Sequence, residues 1–380
     1  MRNILLVAAE NSAETYAVQV VREFAPYGDT HFWGIGGDRL AACGFENVVH
    51  NRSLSVVGIV EVLAHLWRIR GIMKRILAQA RERQPAAALL IDYPDFNLRL
   101  ARCLRRAGIP VYYYISPTVW AWRYGRVAQV RRWVSRLFII FPFEAAIYEK
   151  EAVNFTYVGH PLLSEVRVRE PRDEFRRRHG LAGSDKLLAL LPGSRESEVT
   201  LLLPEILAAV ERLGSEFSLK VFLLRAQNIH PELLAAAGPD IRILDQEQGF
   251  DLLNAADAVI TTCGTSNLEA ALLGVPFVAI YKVNRMTYFL GRRFLRIGRY
   301  SIVNILAGHP VAAELIQDDC RADLIHRETV KLLSDAALGQ AMRREFQRIR
   351  ESLQQEERPA AIICRQIRRE LEGNRAVDGK

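Results

Sequence analysis

The chain lacks any apolar run near the ~18 residues that a membrane-spanning helix needs, although half of its 380 residues are hydrophobic. Its five cysteines are scattered and form no CxxC pair or Cys/His cluster, which argues against structural zinc and for a reducing compartment. Glycine and proline occur at ordinary levels, so collagen-like and low-complexity chains are excluded. These absences leave a globular, core-forming protein.

Motifs of several common enzyme classes are also missing. No GxGxxG follows the first predicted strand and no GxxxxGK[ST] occurs, which disfavours dehydrogenases and P-loop NTPases. There is no HExxH, and no DxD acidic pair that would hold a divalent metal on a nucleotide diphosphate. The sequence therefore predicts neither a metal nor another cofactor.

The main compositional excess is positive charge, with 51 Lys and Arg against 43 Asp and Glu. Such an excess suits nucleic acid, an anionic membrane surface or phosphorylated substrates. No nucleic-acid-binding motif accompanies the basic residues, so we expect no nucleic-acid partner.

Short apolar runs alternate with longer helical patterns along most of the chain. Most of these runs are continuous, as in parallel strands that are buried on both faces. Together with the helices between them they predict an α/β protein of two doubly wound domains. The predicted strands are 3–8, 30–35, 86–91, 110–115, 137–141, 186–191, 218–224, 257–262 and 276–280.

The pattern breaks into a highly charged run within residues 158–183. We therefore predict a first domain at 1–165, a second at 166–345, and a helical tail at 346–380 that crosses back to the first domain or to a partner subunit. Two such domains predict a cleft, and ligands of doubly wound sheets bind outside the carboxyl ends of the strands.

One turn of the second half is suited to a phosphate. Gly193 follows a predicted strand and permits close backbone approach, while Ser194 and Arg195 offer donors where a helix begins with its positive dipole end. The alternative is a strand–helix turn with Ser194 as its N-cap.

A second turn has the same character. Gly264, Thr265 and Ser266 follow another strand and present backbone N–H groups at a helix start. Glu269 lies one helical turn further on, where it either accepts hydrogen bonds from ribose hydroxyls or complements the helix dipole. Two such turns on one sheet edge favour a nucleotide diphosphate.

Acidic residues follow strands of the first half. Asp92 comes directly after a strand and is a candidate general base, with Asp95 as a candidate cap of the next helix. Glu10 and Ser12 occupy the equivalent place after the first strand. Each of these acids is alternatively a helix cap.

A loop with two tryptophans, Trp120 and Trp122, precedes Arg123. Tryptophan rings in such a loop line a binding site about as often as they pack inside a core, so both interpretations stay open.

An apolar segment at 56–67 is followed directly by Arg68, Arg70, Lys74 and Arg75. At helical spacing its apolar side chains form a broad stripe, which either packs on the sheet or docks on anionic lipid. We predict docking on the membrane, through Ile59, Val60, Leu63, Leu66 and Trp67. Trp120, Trp122 and the arginines that follow them, Arg123 and Arg126 among them, are predicted to extend this membrane- and acceptor-facing surface.

Eight short segments occur in the order typical of one family. The chain resembles the lipid-A-disaccharide synthases in GIVEVL (58–63), DYPDFN (92–97), SPTVWAWR (116–123), FPFE (141–144), VGHP (158–161), LPGSRESEV (191–199), GTSNLE (264–269) and VNILAG (303–308). The resemblance implies a GT-B fold, with two Rossmann-like domains facing a cleft.

The resemblance also implies a reaction and its participants. UDP-2,3-diacylglucosamine and 2,3-diacylglucosamine 1-phosphate (lipid X) would be joined by a β(1→6) bond, with inversion, release of UDP and no metal. Asp92 would be the base, Glu269 would bind the ribose, and Asn304 would contact the nucleotide sugar or the acceptor. The enzyme would be a peripheral protein of the cytoplasmic face of the inner membrane, and a homodimer with exchanged C-terminal helices.

The sequence departs from the family at residues 9–14, where Ala-Glu-Asn-Ser-Ala-Glu replaces the usual Gly-Glu-Thr-Ser-Gly-Asp. Glu10 and Ser12 are retained. A diverged paralogue, a UDP-sugar epimerase on the same fold and a non-enzymatic membrane-binding protein are the alternatives.

Overall fold

Two parallel β-sheets organise the chain, and each lies in its own compact unit. The structure is a computed structural model that describes residues 1–54, 62–292 and 298–378. One unit comprises Met1–Pro161 with Leu353–Lys380, and the other comprises Leu162–Ser352. The predicted domain boundaries lie a few residues from these, and the end of the chain lies in the first unit.

The sheet of the first unit has seven parallel strands in the order β3-β2-β1-β4-β5-β6-β7. Its central strands are apolar on both faces because helices cover both sides. The strands are β1 (Arg2–Ala8), β2 (Thr30–Gly36), β3 (Glu46–His50), β4 (Ala87–Ile91), β5 (Val111–Tyr114), β6 (Arg136–Ile139) and β7 (Phe155–Tyr157).

Helices connect these strands and form two cores, one on each face of the sheet. One core contains Ile72 and Ile76 of the third helix, and the other joins the first and last helices through Val20 and Ile367. The helices of this unit are α1 (Asn11–Phe24), α2 (Asp38–Ala41), α3 (Val62–Arg83), α4 (Pro94–Arg106), α5 (Arg126–Trp133), α6 (Glu144–Lys150) and, after the second unit, α16 (Pro359–Asp378).

The second unit repeats this plan with six parallel strands in the order β10-β9-β8-β11-β12-β13. Its strands are β8 (Lys186–Leu191), β9 (Leu219–Arg225), β10 (Ile241–Asp245), β11 (Ala258–Thr262), β12 (Phe277–Tyr281) and β13 (Glu314–Ile316). Its helices are α7 (Leu162–Glu165), α8 (Arg172–Arg178), α9 (Glu196–Gly214), α10 (Gly249–Ala255), α11 (Thr265–Leu272), α12 (Arg285–Arg292), α13 (Ile302–Ala307), α14 (Ala322–Ser334) and α15 (Ala336–Leu353).

The predicted α/β class with two parallel-sheet domains is confirmed. The nine predicted strands are all interior strands of the two sheets. The four that the sequence did not predict, β3, β7, β10 and β13, are the edge strands. In the described part of the chain no helix has the length and apolarity to cross a membrane.

The last helix is fastened to the first unit by ion pairs as well as by its apolar face. Arg368 of α16 pairs with Asp29 at 2.8 Å, and Arg136 of β6 pairs with Glu370. The helix packs against α1 of the same chain, so the first unit is completed by residues that follow the second unit in sequence.

We expect the stability of the first unit to depend on this late segment. Ile367→Ala removes a buried side chain, so it should lower the free energy of unfolding by ~2–5 kcal/mol. All five tryptophans lie in the first unit, so urea unfolding followed by tryptophan fluorescence reports on that unit. Arg369→Ala on the exposed face of α16 is the control, and an equal effect of both changes would contradict the prediction.

Candidate active site

The turn after β4 places Asp92 in an unusual backbone conformation. Asp92 and Tyr93 have φ angles of +49° and +48°, in the left-handed region that costs a non-glycine residue about 1–3 kcal/mol. Hydrogen bonds to the backbone N–H and to the backbone carbonyl of Asp92 hold this turn. Its N–H donates to the carbonyl of Tyr114 at 2.9 Å, and its carbonyl accepts from the hydroxyl of Tyr113 at 2.6 Å and from Nδ2 of Asn97 at 2.7 Å.

The Asp92 carboxyl has the character of a general base. Burial first, and the nearby Glu10 carboxylate second, raise its pKa to about 6, although a hydrogen bond from the Tyr93 backbone lowers it. A carboxyl with a pKa of about 6 is largely ionised at pH 7 and is a stronger proton acceptor than an ordinary aspartate.

The other predicted acids have different surroundings. Glu10 is exposed at the N-cap position of α1 but makes no side-chain capping hydrogen bond, and Ser12 is exposed in the first turn of that helix. Asp95 does not cap α4, so that prediction is wrong. Its Oδ1 instead accepts from Arg123 at 2.9 Å and from Arg126 at 2.6 Å.

The departures at residues 9–14 lie inside the first unit. Ala9 and Ala13 are buried, and the Glu14 carboxylate accepts from the backbone N–H of Leu40 at 3.0 Å and from Nδ2 of Asn51 at 3.2 Å. The sequence did not predict this role for Glu14. Three of the altered positions, Ala9, Ala13 and Glu14, are therefore buried, while the altered Asn11 is exposed like Glu10 and Ser12.

The two tryptophans have different roles. Trp120 packs edge-on against Phe143, with the ring centroids 5.4 Å apart. The guanidinium groups of Arg123 and Arg126 lie over the Trp122 ring, at 4.3 and 5.0 Å from its centroid. Arg126 is buried, so it does not extend a membrane-facing surface.

A buried acid that the sequence did not single out supports the tryptophan loop. The Glu144 carboxyl accepts from the Ser116 hydroxyl at 2.6 Å, and that hydroxyl also lies 2.9 Å from the hydroxyl of Tyr148. Burial raises the pKa of Glu144 to about 7, although the hydrogen bond from Ser116 lowers it. The motifs that contain Ser116 and Glu144 thus meet inside the first unit.

In the second unit, the turn after β8 requires glycine. Gly193 has a φ angle of +123°, and a Cβ there would lie 2.7 Å from Oε2 of Glu198 and 3.4 Å from Cγ2 of Thr262. Arg195, rather than Ser194, is the N-cap residue of α9, so the predicted alternative role for Ser194 is wrong. The exposed Arg195 side chain is held by an ion pair with Glu198 at 3.0 Å.

The turn after β11 lies directly beside it, because β8 and β11 are paired strands. Gly264 and Thr265 are exposed at the start of α11. Ser266 accepts from the Thr261 hydroxyl at 2.8 Å, and Nδ2 of the buried Asn267 donates to the carbonyl of Thr262 at 2.6 Å. The structure thus brings both predicted phosphate turns to one sheet edge.

Glu269 lies one turn into α11, beneath these exposed residues. Burial alone raises the pKa of its carboxyl to about 7. Donors from a ligand would therefore stabilise the ionised form of a carboxyl that is only about half ionised at pH 7 without them.

Asn304 is hydrogen-bonded on all sides. Its Nδ2 donates to the Ala312 carbonyl and to Glu314, both at 2.8 Å, and its Oδ1 accepts from the N–H groups of Val311 and Ala312. An amide has two donors and two acceptor lone pairs, and all four are used within the protein. These bonds hold the segment at the wall of a cavity of about 510 Å³, and the contact of Asn304 with the nucleotide sugar or the acceptor stays a prediction.

Part of the predicted membrane stripe can be assessed. Ile59 and Val60 lie outside the described residues, as do the side chains of Leu63 and Leu66. Trp67 is 70% exposed, and the Arg70 guanidinium lies 5.4 Å from its ring centroid.

The continuation of the stripe packs inside the protein. Ile69 and Met73 lie partly buried against one core of the first unit, and Ile72 and Ile76 are members of that core. The packing interpretation therefore holds for the later turns of α3, while Trp67 faces away from the core.

Comparison with known proteins identifies the family. The family model described as lipid-A-disaccharide synthetase matches residues 4–367. The lipid-A-disaccharide synthase of Geobacter sulfurreducens is 40% identical over 97% of this chain and 98% of its own length. The chain belongs to the lipid-A-disaccharide synthase family. It is therefore a glycosyltransferase of lipid A biosynthesis, and the non-enzymatic alternative is excluded.

Solved structures agree with this fold. The calicheamicin glycosyltransferase CalG4 is 16% identical with a TM-score of 0.61, and each chain is covered to 98%. MurG of Acinetobacter baumannii is 14% identical with a TM-score of 0.57, covering 97% of this chain and 99% of its own. These likenesses show that the synthase family member has the GT-B fold.

We expect the Asp92 carboxyl to titrate near pH 6, about two units above an ordinary aspartate. Glu10→Gln removes the neighbouring negative charge and should shift this titration to lower pH. Carbon-13 NMR of labelled aspartate measures the pKa, with Asp92→Asn to assign the resonance and Ser12→Ala as the uncharged control from the same turn. An ordinary pKa in the unaltered protein would show that burial does not act as described.

Proposed function

We propose that the chain is an inverting hexosyltransferase that joins UDP-2,3-diacylglucosamine to 2,3-diacylglucosamine 1-phosphate and releases UDP. The observation that carries the proposal is the Asp92 turn, in a chain that belongs to this family. The turn lies where β4 ends, and its carboxyl has a pKa raised to about 6, which makes it a better proton acceptor than an ordinary aspartate.

The Asp92 carboxylate accepts the proton of the acceptor's 6-hydroxyl as that oxygen attacks the anomeric carbon of the donor. The C1–O bond to the diphosphate breaks as the new C1–O bond forms on the opposite face, so the configuration at C1 is inverted. The proton remains on Asp92 until solvent takes it up, and UDP leaves with the bonding electrons.

The second unit holds the leaving group. The Arg195 guanidinium and the exposed turn at Gly264 and Thr265 supply positive charge and donors at two helix starts, which stabilise the charge that develops on the diphosphate. Glu269 accepts from the ribose hydroxyls. No step of this mechanism uses a metal or another cofactor.

The test separates catalysis from nucleotide binding. With both substrates present, UDP and disaccharide should form, and Asp92→Asn should lower the rate by ~10²–10⁴-fold without changing the affinity for UDP. Arg195→Ala and Glu269→Gln should weaken UDP binding in calorimetry, about ten- to hundredfold for the arginine. Arg212→Ala, in the last turn of α9, is the charge control.

Three outcomes would contradict the proposal. A near-native rate for Asp92→Asn would show that Asp92 is not the base. Unchanged UDP affinity in both Arg195→Ala and Glu269→Gln would show that the nucleotide binds elsewhere. UDP-sugar turnover without an acceptor would indicate an epimerase.

The enzyme meets its acylated substrates as a peripheral protein at the cytoplasmic face of the inner membrane. Support comes from Trp67, a large exposed side chain followed by Arg68 and Arg70 near the start of α3, since an aromatic ring beside basic residues suits an anionic headgroup region. The homodimer stays a prediction.

We expect Trp67→Ser to weaken flotation with anionic vesicles while UDP binding is unchanged. Tyr27→Ser is the matched control, because Tyr27 is 54% exposed and lies just before β2, at the opposite edge of the sheet. Equal flotation of the Trp67 variant and the unaltered protein would place membrane contact elsewhere.

A further inference from the structure

The first unit contains a basic cavity that the mechanism above does not use. It has a volume of about 390 Å³ and lies between α4 and the start of α5. Its walls include Asp95, Leu98, Arg99, Arg123, Arg126 and Gln129.

Positive charge is in excess there. The described lining contains three arginines and one carboxylate. Arg123 and Arg126 both donate to Oδ1 of Asp95, at 2.9 and 2.6 Å. Both also lie over the Trp122 ring, so their positions are fixed before a ligand arrives. Arg99 is exposed and lines the same cavity. Two positive charges are therefore left over for an anion.

The chemistry of these groups selects a phosphate. A guanidinium presents its N–H donors in a planar fork that matches two phosphate oxygens, and several arginines together hold a dianion. Orientation by Asp95 and Trp122 reduces the conformational entropy that the side chains lose on binding.

The cavity is also close to the proposed base. Pro94, the first residue of α4, lines the cavity and is two residues from Asp92. The Asp92 turn therefore borders the cavity, which is the arrangement required if one sugar is to place its phosphate in the cavity and a hydroxyl at Asp92.

We propose that this cavity binds the phosphate of the phosphorylated acceptor sugar, with Arg99 and Arg123 as direct ligands. Arg126, which is buried, and Asp95 act as positioning residues for Arg123. The inference rests on the proposed function, because it assigns a binding site to one of the two substrates. It makes the anomeric phosphate a determinant of acceptor choice.

The test compares two acceptors, one with the 1-phosphate and one without it. In the unaltered enzyme the phosphorylated acceptor should have the lower KM. Arg99→Gln and Arg123→Gln should each raise that KM about ten- to hundredfold and leave the KM of the unphosphorylated acceptor unchanged. Arg102→Gln is the matched control, because Arg102 lies on α4 with its guanidinium over Trp133 instead. Equal changes for both acceptors would overturn the proposal.

Binding measurements separate this inference from the proposed function and from lipid binding. Glucosamine 1-phosphate should bind the unaltered protein in calorimetry and should bind Arg99→Gln more weakly. This result is expected even if no disaccharide forms, and in that case the proposed reaction alone is wrong.

Headgroup phosphate of a phospholipid offers the same chemistry. If Arg99→Gln and Arg123→Gln release the protein from anionic vesicles but leave the acceptor's KM unchanged, the cavity serves a lipid headgroup and the acceptor assignment is wrong. Arg99 is exposed, so its substitution tests the cavity without disturbing the core.

Discussion

A buried asparagine amide holds the end of a central strand in each unit, and the functional turns depend on these hydrogen bonds. Nδ2 of Asn97 donates to the carbonyls of Ile91 and Asp92, and Nδ2 of Asn267 donates to the carbonyl of Thr262. The carbonyls at a buried strand end need a partner once the ladder stops, because an unpaired buried carbonyl is costly. The asparagines supply that partner from the following helix, which fixes how each helix starts.

Both units bury carboxyl groups, since Asp92 and Glu144 in the first unit and Glu269 in the second have raised pKa values. The first unit also places guanidinium groups beside Trp122. The second unit offers exposed helix starts and the side chain of Arg195. The proposed proton acceptor in one unit and the proposed diphosphate-binding turns in the other would meet the two chemical requirements of a transfer from a nucleotide sugar.

The sequence placed the candidate site residues directly after strands, because strand ends are visible in it. A continuous apolar run that stops at a polar residue marks the carboxyl edge of a parallel sheet, and Asp92, Gly193 and Gly264 all occupy such places. It could not predict the partners of those residues. The contacts of Asp95 with Arg123 and Arg126 join residues about thirty positions apart, and the hydrogen bonds that saturate Asn304 depend on where a neighbouring loop lies.

The interior strands of both sheets, the two-domain α/β class and the turns that hold the candidate site residues could be predicted from the sequence, because burial on both faces leaves a continuous apolar pattern. The edge strands became known from the folded structure, since an edge strand such as β10 is mostly half-buried or exposed and its residues have no such pattern. The folded structure also showed that α16 completes the first unit, and that the later turns of α3 face the core while Trp67 faces solvent. Those outcomes depend on which surfaces meet when the chain folds, and local sequence periodicity carries no information about that.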